Sequence, residues 1–303
     1  MMNLTSATTR LPKLKRAGAA ARPPHRLTER DLAIIEAIFS CRVLTSAQIE
    51  RLLFDGASQG ERICRRRLQK LYHHEYLARE ELPVKASEGS APFLYFLDRL
   101  GAEALAQWRG VDTSAWAPKK NKVQPLFLHH RLATNDVRIA ATLDARARGY
   151  TLGRWIDEDA LNADKETVTV TDAAGKEQTV CLVPDGYFQV LAGGRVYHFF
   201  LELDRATETG VSSKWRDWAG KIGLYLTYYG SGRYQAKYQT SDMRILTVTT
   251  SAERATHLRA ATVKAGGKGR FWFATLPEVM AGSFFNDPLW QAANDATRRA
   301  IFT

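Results

Sequence analysis

Apolar residues recur at helical spacing through the first third of the chain and in short strand-like runs through most of the rest. Thr28-Glu29-Arg30-Asp31 reads as a cap, followed by a helix with Leu32, Ile35, Ile38 and Phe39 on its apolar face. Thr45-Ser46-Ala47-Gln48 is a capping box for a second helix carrying Ile49, Leu52 and Leu53. Ser58-Gln59-Gly60-Glu61 predicts another capping box, opening a helix to about His73 that buries Cys64, Leu68, Leu71 and Tyr72. Leu77–Leu82 and Phe93–Leu97 then read as a hairpin across a Pro/Gly/Ser-rich tip containing Lys85, and Asp98 caps a fourth helix to Trp108. Three helices followed by a hairpin describe a winged helix-turn-helix over residues 27–110.

Residues 111–125, with Pro118, Lys119, Lys120, Lys122 and Pro125, read as a linker. The second domain, 126–303, opens with a helix over residues 128–148 that Gly149 closes, and His129 and His130 at its start read as capping or packing groups. Thr151–Ile156 is a strand, and Thr167–Thr171 pairs with Gln178–Val183 across a turn at Asp172–Gly175. Tyr187–Leu191 and Val196–Leu203 form a hairpin about Gly193-Gly194. The run VYHFFLEL at 196–203 has the near-continuous apolarity of a buried central strand. Arg244–Thr250 is a further strand, Ser251 caps a helix to about Lys264, Phe271–Thr275 is the last strand, and Pro277 opens a short helix. The fold class is therefore α/β (α+β), with a mixed sheet in the second domain.

Composition places this pattern in an ordinary globular chain, 45% hydrophobic and 25% charged. The net charge of +11 favours an anionic partner, double-stranded DNA first. Residues 1–120 hold 20 Lys+Arg against 13 Asp+Glu (+7), so of the 43 and 32 in the whole chain 23 and 19 remain beyond (+4). Residues 1–26 contain Arg10, Lys13, Lys15, Arg16, Arg22 and Arg26 without an acid and read as a disordered basic arm, a solvated tail or one that tracks phosphates. Arg62, Arg65, Arg66, Gln69 and Lys70 lie on the third helix away from its apolar face, with Arg67 flanking. That is the side-chain chemistry of phosphate and guanine contacts; a solvated helix face and a protein-docking module are the alternatives. The three scattered cysteines point to a reducing cytoplasm, and the DNA reading to a nucleoid- or plasmid-associated protein. The chain shows no apolar run of membrane-spanning length.

One cluster of carboxylates suggests chemistry. The hairpin about Gly193-Gly194 brings Asp185, after Pro184, to the Glu202 end of the partner strand. Glu158 follows an earlier strand, Asp204 shares a strand face with Glu202, and Lys221, with Lys214 two turns before it, lies on the helix that follows. Asp185, Glu202 and Glu158 are candidate ligands for Mg²⁺ or Mn²⁺. Asp185, Glu202, Asp204 and Lys221 are candidate catalytic groups for phosphodiester cleavage. The alternative for Asp185 and Glu202 is structural, an Asp-Gly turn and an ion pair with Arg205 or Lys221.

Pro184-Asp185 followed across a hairpin by Glu202-Leu203-Asp204 resembles the PD-(D/E)xK nuclease superfamily, with Asp204 in the usual lysine position. The resemblance implies a restriction-endonuclease-like domain in which either Lys221 or Lys214 supplies the cation from the next helix or the site is degenerate. On a larger scale, LTERDLAIIEAIFSCRVLTSAQIERLLF, RRRLQKLYHHEYL, HHRLATNDV, VPDGYF, FFLELDRATE and KIGLYLTYY together resemble the replication-relaxation family, from about Leu27 to about Leu276. The family implies a DNA-binding accessory role in plasmid or mobile-element replication or mobilisation, beside relaxase and replication proteins, and makes Asp204 a family trait. Three readings stand on this basis: a DNA-binding scaffold, a Mg²⁺-dependent endonuclease targeted by its winged helix, and a transcriptional repressor of a mobile element. A homodimer on palindromic DNA is compatible with a winged helix, although no dimer helix is evident.

Overall fold

The computed structural model describes residues 15–18, 20, 22, 24–54, 58–82, 92–114, 116–117, 125–171, 175–205 and 217–302, without the side chains of Pro125 and Leu126. The chain divides into two compact units, residues 1–135 and 136–303. No helix among the described residues is long and apolar enough to cross a membrane. Lys85, Lys119, Lys120, Lys122, the start of the Asp172–Gly175 turn and Lys214 lie outside the described residues.

The first unit contains α1 (Glu29–Cys41), β1 (Val43–Thr45), α2 (Ser46–Phe54), α3 (Gly60–His73), β2 (Leu77–Glu81), β3 (Phe93–Leu97), α4 (Arg99–Arg109) and the opening of α5 (Pro125–Arg148). The cap expected at Thr28 forms, as a full capping box, and so does the box expected at Thr45. Thr28 N–H donates to Asp31 at 2.9 Å and Asp31 N–H to Thr28 Oγ1 at 3.3 Å. Gln48 N–H donates to Thr45 Oγ1 at 3.1 Å, and Thr45 N–H to Gln48 Oε1 at 3.0 Å. Each such cap is worth about 1 kcal/mol. The box expected at Ser58 does not form: the cap of α3 is Gln59, at φ 60°, with no side-chain cap bond. Its amide oxygen accepts from Arg62 instead.

The strands form an antiparallel sheet in the order β1-β3-β2. At three residues, β1 is too short to show an alternating pattern. Leu32, Ile35, Ile38, Ile49, Leu68, Leu71 and Leu77 are buried. Asn135 of α5 donates to the carbonyls of Cys41 at 3.2 Å and Val43 at 2.7 Å, so the helix start belongs to this unit.

The second unit continues α5 and adds β4 (Thr151–Asp157), α6 (Glu158–Ala163), β5 (Glu166–Thr171), β6 (Glu177–Leu182), β7 (Gly186–Ala192), β8 (Arg195–Asp204), α7 (Trp218–Gly230) and α8 (Arg233–Tyr238). It ends with β9 (Arg244–Thr249), α9 (Ala252–Lys264), β10 (Phe271–Thr275), α10 (Leu276–Ala281), β11 (Trp290–Ala292) and β12 (Arg298–Arg299). Seven strands make a mixed sheet in the order β12-β11-β10-β9-β8-β7-β4, and β5 and β6 pair separately. The β8–β9 and β9–β10 pairs are parallel, each needing the helical crossover that α7 with α8 and then α9 supply. Gly193 and Gly194, at φ 55° and 77°, make the β7–β8 turn in a conformation that side chains resist.

As expected, β8 is central and is buried from His198 to Leu203, but its start is not, and Val196 is 45% exposed. One sheet face places Tyr187, Phe200, Ile245, Phe271 and Phe273 in a cluster with Tyr225 and Tyr228 of α7 and Leu258 of α9. Phe271–Thr275 is not the last strand, because the chain returns to extend the sheet with β11 and β12. These strands and α8 are too short to carry a periodic signal of their own.

Candidate functional site

Helix α3 divides its residues as its sequence spacing dictates. Cys64, Leu68 and Leu71 are buried, whereas Arg62, Arg65 and Arg66 are exposed. At the end of the apolar face it is His73 that is buried, and Tyr72 is half-buried. Arg65 pairs with Glu61 one turn back, a solvated i,i+4 bridge that a phosphate can displace at little cost. Arg66 has no hydrogen-bond or ion-pair partner among the described residues. Gln69 and Lys70 are half-buried on the next turn. Arg67 is committed elsewhere: it donates at 2.9 Å both to the fully buried Asp31 carboxylate and to Thr28 Oγ1, tying α3 to the start of α1.

Part of the expected basic arm is likewise spent on the fold. Arg16 donates to the carbonyls of Tyr72 and Leu77 at 3.0 and 2.9 Å and to Asp98 at 2.8 Å. Ala17 N–H donates to His73 Nδ1 at 2.9 Å, and Arg22 to Glu75 at 2.7 Å. From Lys15 on, the described part of the arm is fastened to the end of α3, so Arg16 and Arg22 are not free to follow a phosphate backbone.

In the second unit the β7–β8 register sets the carboxylates. Gly186 lies opposite Leu201, which puts the preceding Asp185 beside the Glu202 end of β8. The backbone N–H of Asp185 donates to Leu201 O at 3.1 Å, and its Oδ2 accepts from the Leu203 N–H at 2.6 Å. Glu202 is 2% exposed, and both its oxygens are occupied: Lys221 Nζ donates to Oε2 and the Tyr225 hydroxyl to Oε1. Lys221 and Tyr225 are one turn apart on α7 and therefore share a face. Burial pushes the Glu202 carboxyl up to about 7; the Lys221 ammonium works against this and the Asp185 carboxylate adds to it. Tyr225, buried against that carboxylate, is raised well above its usual value, so it remains a proton donor.

Glu158 follows β4 directly, as expected, and opens α6, whose cap is Asp157, accepting from Ala160 N–H at 3.0 Å. An oxygen of Glu158 and one of Asp185 lie within 4.8 Å of each other. Asp204 shares the Glu202 face of β8 but is engaged differently. It accepts from Arg254 Nε and a terminal nitrogen at 2.9 and 2.8 Å and from Thr249 Oγ1 at 2.7 Å. The Asp204 carboxylate is thus neutralised by a two-pronged guanidinium. Asp185 lies near both Glu158 and Glu202, Glu202 holds Lys221, and Asp204 turns to α9. Sequence reasoning missed Tyr225 and Arg254. Tyr225 was available as the i+4 partner of Lys221, but Arg254, from a helix of the next crossover, had no local signal.

A family model described as replication-relaxation matches residues 35–243. Comparison with curated proteins gives no match. Among solved structures, the restriction endonuclease FokI is similar at 14% identity and a TM-score of 0.27, and FokI bound to DNA at 13% identity and a TM-score of 0.23. Each covers 86% of this chain, which spans about half, 46%, of the FokI chain.

Proposed function

Because the chain belongs to the replication-relaxation family, we propose that it is a DNA-binding protein acting in plasmid or mobile-element replication or mobilisation. In this reading residues 27–110 are a winged helix-turn-helix, with α3 as the recognition helix and the β2–β3 hairpin as the wing. The second unit is a restriction-endonuclease-like domain. The observation that carries the proposal is the outward set Arg62, Arg65 and Arg66 on the third helix, opposite its buried face. Phosphate contacts from arginines on a helix of this kind position a protein on the duplex, and bidentate contacts to guanine edges add specificity. Its test is duplex binding by fluorescence anisotropy: replacing all three by alanine weakens affinity strongly, whereas unchanged affinity would make the helix a protein-docking element.

A second reading, a metal-dependent DNA endonuclease, is favoured by Lys221. The cation missing at Asp204 arrives from α7 and rests on Glu202. The acidic groups suit a hard divalent ion, since Glu158 and Asp185 bring oxygens within 4.8 Å, close to the span of two ligands on one ion. Asp185 and Glu158 would hold Mg²⁺ or Mn²⁺, with Glu202 at their side. When bound, the ion would polarise the phosphodiester and lower the pKa of a water. Lys221 would counter negative charge developing beside Glu202, and the Leu203 N–H holds the Asp185 carboxylate in place. The assay is relaxation or nicking of supercoiled plasmid with Mg²⁺ or Mn²⁺. Cleavage lost in Asp185→Ala and Glu202→Ala supports an enzyme; equal activity in all three proteins overturns it in favour of a scaffold.

A further inference from the structure

The edge strand β4 is irregular at one point. Leu152 pairs with Val190 and Trp155 with Phe188, so Gly153 and Arg154 both face the single residue Gln189. This is a β-bulge, a device that re-aims a side chain and is common at sheet edges beside functional sites. Gly153 makes it feasible, since a Cβ there would lie 3.2 Å from Gln189 Cβ. Arg154, re-aimed, lines a cleft of about 400 Å³ whose floor is β4 and β7 and whose walls are α6 and α8. That volume lies within the range of about 300–1,000 Å³ for small-molecule sites.

The lining has a definite chemistry. Arg154 is exposed and has no hydrogen-bond or ion-pair partner among the described residues, so its guanidinium is available to an anion. Lys237, by contrast, is neutralised by Asp164 at 2.9 Å and Glu166 at 2.7 Å, which fastens α8 and braces that wall. Tyr238 of α8 is half-buried and lines the cleft, its ring packed on Tyr187 at 4.5 Å and Tyr234 at 5.1 Å between centroids. Gln189 is held in a chain of hydrogen bonds: its Nε2 donates to the Tyr187 hydroxyl at 2.9 Å, and that hydroxyl also bonds His198 Nδ1 at 2.7 Å, with the direction set by the imidazole tautomer. An amide fixed in this way offers an oxygen and a second N–H, the pair that recognises adenine. A guanidinium, an aromatic face and an oriented amide around one cleft are the elements that hold a nucleotide out of its stack. The cleft shares its elements with the acidic groups: Glu158 opens α6, and Asp185 stands two residues before Tyr187.

We propose that this cleft takes one unstacked nucleotide, with its phosphate on Arg154, its base against Tyr238 and its base edge on Gln189. The nucleotide is either a free nucleoside phosphate or the unpaired end of a DNA strand. The proposal rests on the DNA reading above and deepens it by adding a single-nucleotide subsite to the second unit.

The full chain is titrated with dAMP by calorimetry, and by anisotropy with a 5′-phosphorylated duplex bearing an unpaired terminal dA, against the same duplex with blunt ends. The expected result is saturable dAMP binding that inorganic phosphate at equal concentration does not displace, weakened on the order of tenfold by Arg154→Ala, the loss of one charge-assisted hydrogen bond. Tyr238→Leu weakens it also, and circular dichroism checks that both variants keep their fold. If the unpaired end binds more tightly than the blunt one, the strand end is a ligand; if only dAMP responds, the free nucleotide is. Absence of both responses in the wild-type protein, or binding that neither substitution changes, overturns the proposal. The outcome is separable from the DNA reading, which falls only if blunt duplex is not bound through the α3 arginines.

Discussion

Glu202→Gln isolates the opposition at the centre of the second unit. In the native fold burial raises the Glu202 carboxyl from 4.5 to about 7, outweighing the Lys221 ammonium in contact with it. The folded chain therefore holds this proton more tightly than the unfolded chain does. The stabilisation is complete below pH 4.5 and is lost as pH rises through 7. At about 1.4 kcal/mol per pH unit, that interval amounts to about 3 kcal/mol, a large part of the stability of an ordinary domain. Glutamine keeps the shape and cannot titrate, so the stability of the variant minus that of wild type should rise by about 3 kcal/mol from pH 4 to pH 8.5. Urea titrations in EDTA measure the difference, and amide exchange within β8 ties it to unfolding of the second unit. A difference that stays flat would refute the assigned burial effect. One that falls with pH would mean that the attraction of Lys221 outweighs desolvation, leaving Glu202 ionised throughout.

Four further substitutions test groups whose roles only the structure separates. Arg67→Ala strands the fully buried Asp31 and should cost about 3 kcal/mol in urea denaturation, whereas Arg66→Ala should change stability by less than about 0.5 kcal/mol while weakening duplex binding. Asp204→Asn loosens Arg254 and should cost about 1–3 kcal/mol, yet leave Mn²⁺ affinity, read by electron paramagnetic resonance, as in wild type; lost affinity would place Asp204 among the ligands. Gly101→Ala sets a Cβ 2.3 Å from the Tyr76 carbonyl oxygen, a backbone clash expected to cost about 1–3 kcal/mol and to lower Tm.

Most elements were legible because they carry their own local chemistry. The Thr28 and Thr45 boxes announce α1 and α2, the Gly193-Gly194 turn announces the β7–β8 hairpin, and that hairpin alone brings Asp185 and Glu202 together. What escaped depends on distance along the chain or on short segments. Gln59 at φ 60° replaces the Ser58 cap because the chain enters α3 in a left-handed turn. Arg16 and Arg22 look like free cations until their acceptors, beyond the end of α3 in the chain, are known. Arg254 reaches Asp204 across 50 residues, a pairing only the parallel β8–β9 crossover makes. The β4 bulge, with no proline to mark it, became visible only as a shift in register.

The central claim is that the outer face of α3 meets the phosphates of DNA. Its most direct measurement is the slope of log affinity against log salt for a duplex, compared between wild type and the Arg62→Ala, Arg65→Ala, Arg66→Ala triple variant. Removing one arginine from a phosphate should lower the slope by about 0.9, so the variant should bind more weakly with a slope smaller by up to about 2.7. The same affinity and slope in both proteins would contradict the account.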